Sequence, residues 1–94
     1  MSTATASVCI PTPARYLNRL AKHFEHRIAV QRDEQRTTLT FPDGVCTLNA
    51  TDTHLDIRIE SSSAASVSRY QEVVTKHLKQ VASQESFDVP WVRT

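Results

Sequence analysis

The 94-residue chain has one glycine, two cysteines and six aromatic residues, and its formal net charge is only +1. Each scarcity excludes something. A single glycine, Gly44, leaves no glycine-rich loop to cradle a phosphate. Cys9 and Cys46 lie 37 positions apart, outside any zinc-binding or redox spacing, and are expected as free thiols. A near-neutral balance argues against a general polyanion binder. No apolar run approaches the roughly 20 residues that a membrane span needs. The Ser/Thr/Ala-rich start, Met1 to Ile10, has no basic residue before an apolar run, so it does not read as a secretory signal. A cytoplasmic protein, not bound to membrane, is the expectation.

The charge is unevenly spread. Residues 12–33 carry five basic and two acidic side chains, and residues 34–60 carry two basic and five acidic ones. The length fits one domain, 1–94.

Periodicity supplies the architecture. Ala4, Ala6, Val8 and Ile10 alternate with Thr5, Ser7 and Cys9, which predicts a strand with one buried face. Thr12-Pro13 reads as N-cap and first helical position. Tyr16, Leu17, Leu20, Ala21 and Phe24 then recur at helical spacing, predicting a helix to about His26. Ile28 and Val30 start a second strand, ended at Asp33-Glu34-Gln35. Leu39 and Phe41 mark a third, and Pro42-Asp43-Gly44 a tight turn. Cys46, Leu48 and Ala50 share the inner face of a fourth strand, and Leu55, Ile57 and Ile59 that of a fifth. Ser61-Ser62-Ser63 offers the cap of a second helix with an apolar stripe of Val67, Tyr70, Val74, Leu78 and Val81. Phe87, Val89 and Trp91 alternate once more, and Pro90 would confine that last strand to an edge. The order β-α-β-β-β-β-α-β predicts an α+β two-layer sandwich. An antiparallel sheet of five to six strands carries two helices on one face. Cys46 should point inward and Cys9 outward.

The most informative local pattern is a repeat. Arg15-Tyr16, followed by Lys22-His23, returns 54 residues later as Arg69-Tyr70 and Lys76-His77. A spacing of seven places Tyr and His on one helical face, two turns apart. The histidines border the apolar stripes, where a ring can pack while a nitrogen stays available. His23 and His26 are i,i+3 neighbours able to approach one metal ion, and His77 or a tyrosine would complete the set if the helices run side by side. Histidine and tyrosine are also haem-iron ligands. Tyr16, His23, His26, Tyr70 and His77 are therefore the candidate ligand-binding residues. No HExxH or CxxC spacing accompanies them, so no metal or resident cofactor is assigned.

Other chemistry has less support. Cys46, on an inner strand face, is expected to be inert rather than a nucleophile. No GxSxG elbow is present, and no catalytic residue is assigned. The outward positions Thr38, Thr40, Thr47, Asn49, Asp56, Arg58 and Glu60 include no aromatic ring on which a base could stack, so nucleic-acid binding is not expected. A protein-interaction or homodimerisation role through the last strand and Trp91 is the alternative, and the chain is expected to be a monomer or a homodimer.

Three segments carry a resemblance. They are Pro13-Ala14-Arg15-Tyr16-Leu17 with Lys22-His23-Phe24 and His26; Phe41-Pro42-x-Gly44-x-Cys46-x-Leu48-x-Ala50; and His77-Leu78 before Val89-x-Trp91. Together they resemble the bacterial domain-of-unknown-function family 2218, over nearly the whole chain. The resemblance departs at Val81-Ala82-Ser83-Gln84, where the family is more aromatic, and at Pro90. It implies an accessory or binding role linked to iron or siderophore metabolism, with a siderophore-interacting flavoprotein as the partner; iron, or haem by the His and Tyr chemistry above, would be the ligand.

Overall fold

The computed structural model describes residues 1–33 and 36–94. Six strands and two helices follow in the order β1 (Ser2–Cys9), α1 (Pro13–Phe24), β2 (Ala29–Arg32), β3 (Thr37–Phe41), β4 (Gly44–Ala50), β5 (His54–Ser61), α2 (Ala64–Val81) and β6 (Val92–Arg93). All strand pairs are antiparallel, and the spatial order is β2-β3-β4-β5-β1-β6. The expected α+β sandwich, with both helices on one face of the sheet, is what the chain forms.

The alternating strands explain the layers. Ala4, Ala6 and Val8, Leu39 and Phe41, Cys46 and Leu48, and Leu55, Ile57 and Ile59 are all buried on the inner face. Leu17, Leu20, Phe24, Val67, Val74 and Leu78 close the core from the helices. Because side chains alternate with period two, the same registers send Thr5, Ser7, Thr47, Asp56, Arg58 and Glu60 to the uncovered face. There Ser7 donates to Asp56 at 2.7 Å, and Arg58 pairs with Glu60 at 3.1 Å. Cys46 is inside and Cys9 outside, both free thiols.

The structure corrects three local expectations. Helix α1 ends at Phe24, and His26 lies beyond it in a turn where the amides of Arg27 and Ile28 both donate to the Phe24 carbonyl. Thr12 does not cap with its side chain. It adopts a left-handed conformation (φ 47°), and its carbonyl accepts from the amides of Arg15 and Tyr16. Proline at the next position disfavours the ordinary helical conformation for Thr12. The tail Phe87, Val89 and Trp91 packs half-buried against the core outside any strand. Pairing begins only at Val92–Arg93, opposite Thr5 and Ala4, at one edge of the sheet. β2 ends at Arg32, immediately before the expected stop at Asp33-Glu34-Gln35, of which Glu34 and Gln35 lie outside the described residues.

Ser63 does cap α2, accepting from the Ser66 amide at 3.3 Å. No described helix is long and apolar enough to cross a membrane.

Candidate functional site

The helices run antiparallel across the sheet. Moving forward along α1, the Tyr16 hydroxyl reaches Glu85 at 2.7 Å, the Arg19 guanidinium reaches the Val81 carbonyl at 3.5 Å, and the His23 ring meets His77. Equivalent members of the repeat therefore touch at the histidines and diverge from there. For the helices alone this is a local two-fold at the His23–His77 pair. Each tyrosine lies seven residues, about 10 Å, back along its own helix, so Tyr16 and Tyr70 are roughly 20 Å apart along the layer. The five candidate residues do not share one pocket.

His23 and His77 do come together. Their ring centroids are 4.5 Å apart and tilted by 43°. Phe24 meets both rings edge-on, at 5.8 Å and 5.1 Å. The His23 Nε2 is buried and has no hydrogen-bond partner among the described residues. An unpaired buried nitrogen of this kind costs about 1–3 kcal/mol. His77 Nδ1 lies 3.2 Å from the Gln80 side-chain oxygen. Burial pulls the His77 pKa below its ordinary value, and the nearby His23, Arg27 and Lys76 pull the same way against the Gln80 contact. Its surroundings thus favour the uncharged imidazole of His77 over the protonated one. Two rings in contact leave no space for a porphyrin between them, so haem held by both would first require them to part.

His26 is exposed and joins none of these ring contacts. The tyrosines do structural work. Tyr70 stacks on Phe41 with centroids 4.2 Å apart, and donates its hydroxyl to the Asp43 carboxylate, which also accepts from the Ser66 hydroxyl. The hydrogen bonds from Ser66 and then Tyr70 hold the Asp43 pKa below the usual carboxylate value. Burial and the bond to Asp43 raise that of Tyr70. Phe24 continues the chain of rings to Phe41 at 5.9 Å, linking the histidine pair to the β3–β4 hairpin. At the opposite end Tyr16 bonds Glu85, which raises its own pKa, and lies under the Arg19 guanidinium at 5.6 Å.

Among the described residues, no group of three or more His, Cys, Asp or Glu side chains is arranged to hold a metal ion. Any ion at the seam would have two protein nitrogens and open positions for other ligands. Cys46 is fully buried, and burial alone pushes its thiol up to about 12. A thiolate nucleophile at neutral pH is therefore excluded there.

A family model described as an uncharacterized protein conserved in bacteria, DUF2218, matches residues 5–92. The chain belongs to the DUF2218 family. Among solved structures, this DUF2218 chain is similar to PA4090 from Pseudomonas aeruginosa, determined by NMR. The two are 34% identical, the match covers 98% of this chain and 96% of that one, and the TM-score is 0.82. No curated protein matches the chain.

The residues that sequence reasoning missed are Asp43, Ser66 and Glu85. Asp43 reads locally as a turn residue, because its hydroxyl partners are 23 and 27 positions away.

Proposed function

We propose that this DUF2218 protein is a small accessory domain that holds a transition-metal ion, or a metal already carried on a chelator, at the His23–His77 seam. The observation that carries the reading is the buried, partnerless Nε2 of His23 beside His77. Imidazole nitrogens suit iron, zinc, copper and nickel. Two protein ligands are too few for a closed structural site, which takes four. Open positions suit transient holding of an ion shared with a second ligand, which agrees with the iron or siderophore role that the family resemblance implies. A siderophore-interacting flavoprotein would be the partner that delivers or receives the chelate.

Thermal denaturation with Zn²⁺, Cu²⁺ or anaerobic Fe²⁺ tests this, because a ligand of the native state raises apparent stability by mass action. The expected result is a rise in Tm for the unmodified protein that is lost in His23→Ala and in His77→Ala. No rise with any of the three ions, or a rise that survives in both variants, contradicts it.

Association through the sheet is the second reading, for which one observation speaks. Among the described residues β2 pairs only with β3, which leaves its outer edge open to another strand. Trp91 is a poorer anchor than its position in the sequence implies. Its indole N–H donates to Thr75 at 2.8 Å, and the ring is half-buried against the core. Light scattering should give a dimer that persists in Trp91→Ala; a monomer removes this reading.

A further inference from the structure

A second concave feature lies away from the histidines. The first turns of α1 (Ala14, Leu17, Asn18), the ends of β2 and β4 (Arg32, Asn49) and the start of β3 (Arg36, Thr37) enclose a half-open cleft of about 490 Å³. That volume lies within the range of small-molecule sites, about 300–1,000 Å³. Its charge is biased. Among the described residues, the lining includes two guanidinium groups and one carboxylate, that of Asp33, which accepts from the Arg36 amide at 2.9 Å. Arg32 is already oriented by Glu25 at 2.8 Å. The Arg36 guanidinium makes no hydrogen bond or ion pair with any described residue.

The floor of the cleft is more specific than its rim. Thr37 faces inward with Leu39 and Phe41, is only 4% exposed, and lines the cleft. Its hydroxyl has no partner among the described residues and is not sealed from solvent, and Thr37 lines the cleft. A polar group this buried is normally paired. Close by, α1 begins with Pro13 and has no acidic residue in its first turn, so the positive end of its dipole is uncompensated.

We infer that this cleft binds a small oxyanion-bearing metabolite, a carboxylate or a phosphate. Arg36 clamps the anionic head, the Thr37 hydroxyl donates to it, and Asn18 and Asn49 contact the polar remainder. Arg36 offers a planar fork that matches either oxyanion. Leu17, Ala14 and Ala50 give an apolar wall that free ions do not need and an organic body does. This site is independent of the histidine seam.

The test is NMR titration of the ¹⁵N-labelled protein with citrate and, separately, with inorganic phosphate, each against sodium chloride of equal ionic strength. The expected result is saturable millimolar shifts confined to Ala14, Asn18, Thr37 and Asn49 for at least one probe. Citrate alone indicates an organic carboxylate, and phosphate alone a phosphoryl group. Arg36→Ala should weaken binding by about tenfold or more, the loss of a charge-assisted hydrogen-bond pair. Arg36→Lys should retain part of it, and Arg69→Ala, which removes the same charge from α2, should change nothing. Shifts that fail to saturate with both probes, or an equal loss in Arg69→Ala, overturn the proposal. The amide spectrum of each variant reports directly whether it is folded.

Discussion

The two copies of the Arg-Tyr-x5-Lys-His pattern occupy equivalent places on their helices and meet different surroundings. Tyr70 is held on every side. Phe41 stacks beneath it, Asp43 accepts from its hydroxyl, and Gly44 lies so close that an added Cβ would come within 2.9 Å of its ring. Tyr16 is as deeply buried in its ring but holds one carboxylate, Glu85, in the segment after α2. The same residue type thus fastens the core to a tight hairpin at one end and to an irregular tail at the other. Between them the histidines touch with a nitrogen unpaired. The repeat builds a frame whose ends are satisfied and whose centre is not, and that difference is why the centre is read as the site.

Breaking the Tyr70 end should have the largest effect. Tyr70→Ala removes a buried ring and should cost about 3–5 kcal/mol in urea unfolding. Gly44→Ala should follow, at about 1–3 kcal/mol, because the new methyl is crowded by the Tyr70 ring and by the Glu60 carbonyl at 3.1 Å. The glycine is needed there for space and not for a left-handed backbone, since Gly44 has no positive φ. Gly44→Ala in a Tyr70→Leu background should recover part of that loss, which sharpens the assignment. Tyr70→Phe keeps the stacking and removes one hydrogen bond, for about 1 kcal/mol. Its loss should fade in acid. The Asp43 pKa is lower folded than unfolded, so the carboxylate stabilises the fold above its ordinary value of 3.8, and that contribution is lost as pH falls through the folded value.

The centre should show the next effect, in pH dependence. The His77 pKa is lower in the folded protein than its ordinary 6.5, so folding disfavours protonation. Stability should be full above pH 6.5 and decline as pH falls through that value toward the folded pKa. The slope should flatten in His77→Gln; an unchanged slope would place its origin elsewhere. Tyr16→Phe should give the smallest change of all, smaller than Tyr70→Phe by the same measurement, because only the tail is released.

The fold was legible in the sequence because the strands alternate cleanly and the helices carry continuous apolar stripes. Leu55, Ile57 and Ile59 against Asp56, Arg58 and Glu60 leave one face to bury, and β1, β3 and β4 share that property. What was not legible depends on distant partners. Nothing near Asp43 shows that Ser66 and Tyr70 will reach it, and nothing near Thr12 shows that its backbone will replace its side chain as the cap. The tail misled because Phe87, Val89 and Trp91 alternate as a strand would, while their side chains pack against the core without strand pairing. The candidate site divided in the same way. The spacing of seven placed Tyr and His on one face correctly, but the antiparallel crossing joins only the histidines, and α1 stops before His26.

The most direct measurement is imidazole ¹⁵N NMR of the full chain at neutral pH during addition of Zn²⁺. The His23 and His77 resonances should move together and reach a plateau at one equivalent of metal, while those of His26 and His54 stay in place. Movement of His26 or His54 instead, or no saturable change in either seam histidine, would contradict it.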